Sequence, residues 1–203
     1  MDVFVPQRFG LHLCKYLLII EPIDQVQKHL QGFKQYFLKN HRYPNAIVSK
    51  SHITLMRFIQ YDSYEKHIIK ELQLLASAVT PFDVELQGFG SFGHTLFVDV
   101  KSAGPILGLV SKRRRELRPL VNGVKGHPPY FVTKPHITIA RKLTPPQNDA
   151  IWPIWRRTKY NGVFRAKNMT LLRRMVGTPT YTIVQKFNFL GMPPQFSQGK
   201  LFA

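Results

Sequence analysis

Apolar positions along the chain switch between two periods, and the switch recurs in a strand–helix rhythm. Leu11 to Ile20 is an aliphatic run that reads as a strand, ended by Glu21-Pro22. From Ile23 to Phe37 the apolar residues Val26, Leu30, Phe33 and Phe37 recur at helical spacing, with Asp24 near the start, where the helix dipole favours an acid. A turn at Tyr43-Pro44-Asn45 leads into a strand from Ala46 to Phe58, and Ser63 to Val79 reads as an amphipathic helix closed by Thr80-Pro81. Phe82 to Gln87 and Thr95 to Val100 are a strand pair joined by the glycine-rich loop Gly88 to Gly93. The second half repeats the order. A helix over Pro105 to Leu120 precedes a strand over Tyr130 to Ala140, a short helix over Pro145 to Arg157, and strands over Gly162 to Met175 and Tyr181 to Leu190. Residues 191–203 lack periodicity and are expected to form a loose surface tail, leaving residues 1–190 as a single domain.

The internal echo is more informative than any single element. Each half offers a helix followed by a strand with His-Ile-Thr-aliphatic: Ser51-His52-Ile53-Thr54-Leu55 and Pro135-His136-Ile137-Thr138-Ile139. Side chains alternate across a strand, so His52 and Thr54 share one face, with Ile53 and Leu55 on the other, and His136 and Thr138 do the same. Each His-x-Thr-x motif therefore sets an imidazole beside a hydroxyl, about 7 Å apart. If a pseudo-two-fold relates the strands, the four side chains converge on one point, an arrangement that suits a phosphodiester. Two hydroxyls donate to non-bridging oxygens, while one imidazole takes a proton from the nucleophile and the other gives one to the leaving oxygen. The chemistry is symmetric, so the pattern leaves open which histidine is the acid.

Charge narrows the substrate. The chain carries 29 Lys and Arg against 11 acids, a net +18. Residues 101–174 hold 17 of the basic residues and only Glu116 and Asp149 as acids, a surplus of 15. Such a field favours a polyanionic partner, with nucleic acid or an acidic membrane surface the obvious candidates. The basic run Lys112 to Arg115 with Arg118 reads either as a solvated helix face or as a phosphate-backbone contact outside the site. Phe92 and Tyr130 lie near the motif strands and are candidates for stacking on a base.

Other classes fall away. No metal-ligand spacing is visible among the histidines, cysteine and acids, so no metal or other cofactor is expected. The lone Cys14 sits in an apolar run and reads as an inert buried thiol of a reducing compartment. No secretory leader or membrane-length apolar run is present, so a cytoplasmic, non-membrane protein, acting as a monomer, is expected. The rival readings are a basic RNA-binding module without turnover and a phosphodiesterase of small nucleotides.

The paired motifs resemble the two-histidine phosphoesterase superfamily, particularly its LigT-like members, the RNA 2′,3′-cyclic phosphodiesterases and 2′-5′ RNA ligases. The resemblance runs over roughly residues 11–190 and includes Ile19 to Pro22, Thr95 to Val100, Lys134 to Arg141, Ala166 to Leu172 and Pro179 to Ile183. It implies an α+β, bilobal pseudo-two-fold fold, with an antiparallel sheet in each lobe, outer helices and a central groove. It implies metal-free hydrolysis of a 2′,3′-cyclic phosphate, or 2′-5′ ligation, with His52 and His136 catalytic and Thr54 and Thr138 binding phosphate. Arg141 matches an arginine that LigT-like proteins often carry near the phosphate. Lys134 stands where many relatives have arginine, which keeps the charge and loses the planar fork.

Overall fold

The computed structural model describes residues 11–42, 50–112 and 114–193. Strand β1 (Leu13–Ile20) buries Cys14, Tyr16 and Leu18 and leaves Leu13, Lys15 and Leu17 half-buried on its other face, the alternation its sequence dictates. Strands β2 (Ile53–Tyr61), β3 (Phe82–Ser91), β4 (Thr95–Val100), β5 (Tyr130–Phe131), β6 (His136–Arg141), β7 (Asn161–Ala166), β8 (Asn168–Met175) and β9 (Thr182–Asn188) follow. They alternate with helices α1 (Asp24–His41), α2 (Glu65–Ser77), α3 (Ala103–Lys112), α4 (Arg114–Val121) and α5 (Pro145–Trp155). Helix α1 turns Val26, Leu30 and Phe37 into the core at the expected spacing. Helix α5 starts on a full capping box, Thr144 with Gln147, and has Pro145 at its first position.

The strands join one antiparallel sheet in the order β7-β3-β4-β6-β2-β1-β8-β9, with β5 beside β2. It divides into two four-stranded halves at the seam between β2 and β6, where a single ladder pair, Ile53 with Ile137, links them. A pseudo-two-fold through that pair exchanges the motif strands β2 and β6 and their neighbours β1 and β4. The helices follow the same symmetry. Helix α1 connects β1 to β2 yet packs on β6 and β7, while α3 and α4, between β4 and β6, pack on β2. Each half is thus braced by a helix from the other half's connection. Lys167 alone separates β7, at one edge of the sheet, from β8, near the other, so the sheet must curl to bring these edges together.

Three expected elements differ. The strand expected over Tyr130 to Ala140 is broken between β5 and β6, because Pro135 lacks the N–H a ladder needs. The strand expected over Gly162 to Met175 is two, β7 and β8, because its first part pairs with β3 and its second with β1 in opposite halves of the sheet. The glycine-rich loop is largely strand: β3 runs on to Ser91 through an irregularity between Leu86 and Phe89. The expected turn at residues 43–45 and the first residues of the strand after it lie outside the described residues. Of the expected tail, Gly191 and Met192 donate backbone hydrogen bonds to the carbonyls of Val79 and Ser77, and residues 194–203 lie outside the described residues.

Two glycines give opposite expectations. A Cβ on Gly90 would collide with the ring of Phe97, which is fully buried and cannot swing away. Gly90→Ala should therefore cost about 1–3 kcal/mol. Gly108, inside α3, has open space where a Cβ would go, so Gly108→Ala should stabilise by about 0.5–1 kcal/mol. Urea titration of both variants reads the two signs; a neutral Gly90→Ala would contradict the packing.

Candidate functional site

In an antiparallel register centred on Ile53 and Ile137, His52 lies opposite Thr138 and Thr54 opposite His136. Both isoleucines are fully buried, so their neighbours are forced to the opposite, open face, and all four motif side chains are half-buried there. The bulges are symmetric too. The residue after each threonine, Leu55 or Ile139, has no partner on the adjacent strand, and the register of β1 and of β4 skips it. Both bulged residues point into the core.

The imidazoles are held alike. His52 Nδ1 lies 2.9 Å from the carbonyl of Lys50, and His136 Nδ1 lies 2.8 Å from the carbonyl of Lys134. A carbonyl only accepts, so Nδ1 carries the hydrogen in each ring, and Nε2 of the neutral form is left with its lone pair. Helix α1 steadies the first motif. With its amide turned to suit, Gln27 spans the backbone of Ser51, accepting from its N–H at 2.9 Å and donating to its carbonyl at 3.1 Å.

The electrostatic settings of the two rings differ. Burial lowers the pKa of both below the usual 6.5. The positive charges of Lys34, Arg141 and His136 push His52 down further. His136 has Asp99 as its direct cross-strand partner on β4, and that carboxylate favours the imidazolium, against a smaller opposing effect of Lys134. Phe92 and Phe97 pack against His136 with ring centroids 5.2 and 5.0 Å away, and the Lys134 ammonium stands over both phenyl rings.

Of the residues singled out from the sequence, His52, Thr54, His136 and Thr138 share the seam, and Lys134 and Phe92 lie beside His136. Arg141 pairs with Thr95 two residues from the Phe97–Thr138 pair, which puts it on the same face as Thr138. Tyr130 stands further along β2, under the guanidinium of Arg57 at 4.6 Å. Of the basic run, Arg114 lies on the other side: it stacks on Phe131, whose side chain points opposite to that of Tyr130.

Two residues escaped the sequence reading. Lys34 of α1 is only 2% exposed, and its pKa falls to about 8, chiefly through burial and then through Arg141. Its helical position carried no signal, since a lysine between Phe33 and Phe37 looks like a solvated face. Arg57 did leave a signal. The stretches Lys50 to Arg57 and Lys134 to Arg141 are one pattern, Lys-x-His-Ile-Thr-x-x-Arg, so Arg57 is the symmetry mate of Arg141. Among the described residues, no three His, Cys, Asp or Glu side chains are grouped to hold a metal ion. No helix there is long and apolar enough to cross a membrane.

The fold has counterparts among known proteins. The chain resembles a solved structure of TT0787 from Thermus thermophilus, at 20% identity and TM-score 0.65, covering 87% of this chain and 98% of that one. It also resembles E. coli LigT complexed with 3′-AMP, at 15% identity and TM-score 0.59, covering 87% and 98%. At these identities the likeness is one of fold. No curated protein matches. The family model of the 2′-5′ RNA ligase superfamily matches residues 22–178, which takes in both motif strands and most of the chain. The chain belongs to the 2′-5′ RNA ligase superfamily.

Proposed function

We propose that this protein is a metal-independent RNA-end phosphodiesterase that opens a 2′,3′-cyclic phosphate to a 2′-phosphate. The carrying observation is the seam, where two His-x-Thr strands meet antiparallel across one buried pair with both imidazoles anchored through Nδ1. LigT, a structural relative, has been crystallised with 3′-AMP, which supports a nucleotide occupant. All four motif side chains come from one chain, so a monomer suffices. The buried thiol of Cys14 accords with a reducing, cytoplasmic setting.

The chemistry runs through the two Nε2 atoms. Neutral His52, among cations that disfavour its protonation, takes a proton from water as the water oxygen bonds to phosphorus. The bond from phosphorus to the ribose 3′-oxygen breaks, and His136, held toward its imidazolium by Asp99, protonates that oxygen. Thr54 and Thr138 donate to the non-bridging oxygens, and Arg141 and Lys34 offset the phosphate charge. The proton gained by His52 and lost by His136 is re-equilibrated through solvent. With a 5′-hydroxyl in place of water the same site forms a 2′-5′ linkage. Lys134 and Phe92 border the leaving-group side.

His52→Ala or His136→Ala should each lower kcat on an oligonucleotide ending in 2′,3′-cyclic phosphate by about 100-fold or more, with wild-type turnover intact in excess EDTA. Turnover that survives both changes, or that EDTA abolishes, contradicts the reading.

Because both imidazoles titrate below the usual 6.5, the singly protonated pair is most populated below that pH. A bell-shaped kcat/KM profile should therefore peak on the acid side of 6.5. A bound phosphate anion favours both imidazolium forms, so the kcat profile should lie at higher pH than that of kcat/KM. Coincident profiles peaking well above 7 would refute this.

Lys34 gives a separate linkage test. Its pKa is about 8 in the folded protein against 10.5 in the unfolded chain, so the unfolded state binds more protons between those values. Its contribution to stability is least favourable below about pH 8 and improves as pH rises toward 10.5. The stability of wild type relative to Lys34→Met should thus increase by about 3 kcal/mol across that interval, read by denaturant titration at both ends. A pH-independent difference would remove Lys34 from the account.

A further inference from the structure

The face that carries the motifs extends beyond them, and the two halves of the sheet treat it differently. Cross-strand partners share a face, so the register can be followed outward from Thr54. Thr54 pairs with Ile19, Ile19 with Thr170, and Thr170 with Lys186. The next row runs from Tyr130 to Arg57, Leu17 and Leu172. Beyond it Lys15 pairs with Arg174, whose guanidinium lies 5.2 Å over the ring of Tyr181. Successive rows are about 7 Å apart. The bulge at Leu55 keeps Arg57 on the motif face, since Ile19 and Leu17, two apart on β1, are the partners of Thr54 and Arg57.

These rows hold Lys186, Arg57, Lys15 and Arg174 and no acid. Each Arg–Tyr pair combines a cation with a flat π surface. Helices α2 and α4 reach this half from the other side, through Tyr16 with Glu65 and through Arg114 on Phe131. The β6 half differs in its outer rows. Its motif face carries Asp83, Glu85 and Asp99 as well as Arg141, and its outer cations Arg165 and Lys101 are engaged by Asp83 and Glu85 at 3.2 and 3.7 Å.

We propose that the motif face of the β2 half is the track along which a single-stranded RNA runs toward the site, its phosphates on the cations and its bases on Tyr130 and Tyr181. The proposal deepens the phosphodiesterase reading above and rests on it for the position of the RNA end. Charge complementarity and the shared face with the seam favour a polyanion, and the aromatic partners favour one with bases. The outer β6 half sets the direction, because a strand leaving the site on that side would meet the carboxylates of Asp83 and Glu85, whose neighbouring cations are already engaged.

The test uses the double variant Lys15→Gln/Arg174→Gln, in the row farthest from the histidines, with Lys15→Arg/Arg174→Lys as the charge-retaining control. Fluorescence anisotropy in a His52→Ala background, with a single-stranded oligonucleotide bearing a 3′-terminal phosphate, measures binding without turnover. Affinity should fall about tenfold, and the slope of log affinity on log salt should diminish by about two, with the control close to the parent protein. In the catalytically intact protein, kcat/KM on an oligonucleotide with a 2′,3′-cyclic end should fall by a similar factor, while that on the mononucleotide cyclic phosphate stays within twofold.

Equal loss on both substrates, no loss on either, or tighter binding of a polyaspartate peptide than of RNA overturns the track. If RNA binding depends on the row as expected but the wild type turns over neither substrate, the track stands and the phosphodiesterase reading falls. If the wild type cleaves both ends and the variant is indistinguishable from it, the reading stands and the track falls.

Discussion

The ladder pair between Ile53 and Ile137 is the point on which the rest of the molecule turns. Both side chains are fully buried, and each such burial is worth about 1.5–3 kcal/mol. That burial fixes the register of two strands that meet at one place only. A slip by one residue would put the isoleucines in the groove and the imidazoles in the core, so the apolar pair selects the alignment that faces His52 toward Thr138 and Thr54 toward His136. The bulges at Leu55 and Ile139 let each strand turn away from the seam while keeping Arg57 and Arg141 on the face of the threonines.

Around that seam the protein concentrates positive charge where it is costly. Lys34 is buried, Arg141 is close enough to depress it, and both depress His52. Such a cluster is uncomfortable in the free protein and relieved by an anion, which is how a phosphate site gains affinity from its own desolvation. Asp99 adds a carboxylate on the side of His136, while the cations weigh on His52. A symmetric scaffold thereby presents two histidines with unequal proton affinities, the distinction that acid–base chemistry requires.

The exchange of helices between halves explains how a seam with one ladder pair stays closed. Helix α1 braces the β6 half and α3 with α4 braces the β2 half, so the halves are tied through their cores rather than through strand pairing. On the β2 half, α2 and α4 occupy the side away from the motifs, where Tyr16 and Phe131 receive them. The motif face carries cations and tyrosines beside Leu17 and Leu172. Arg114 of the basic helix run, conspicuous in the sequence, lies off that face, and the proposed track is assembled from residues far apart in the chain, Lys15 and Arg57 with Arg174 and Lys186.

The local features were legible from the residues. Period-two alternation around each His-Ile-Thr determines which side chains share a face, and helical spacing in α1, α2 and α5 determines which residues turn inward. Arg57 was legible as well, in the second copy of Lys-x-His-Ile-Thr-x-x-Arg, though only the shared face makes the repetition meaningful. The tertiary structure decided the rest: the register at the seam, the break before Pro135, the place of Lys34 beneath the site and the contrast between the two motif faces. Periodicity is a property of neighbours in the chain, set by backbone geometry. Which strands pair, and which charges then share a surface, depends on burial between segments some 80 residues apart, as His52 and His136 are, and no local pattern encodes it.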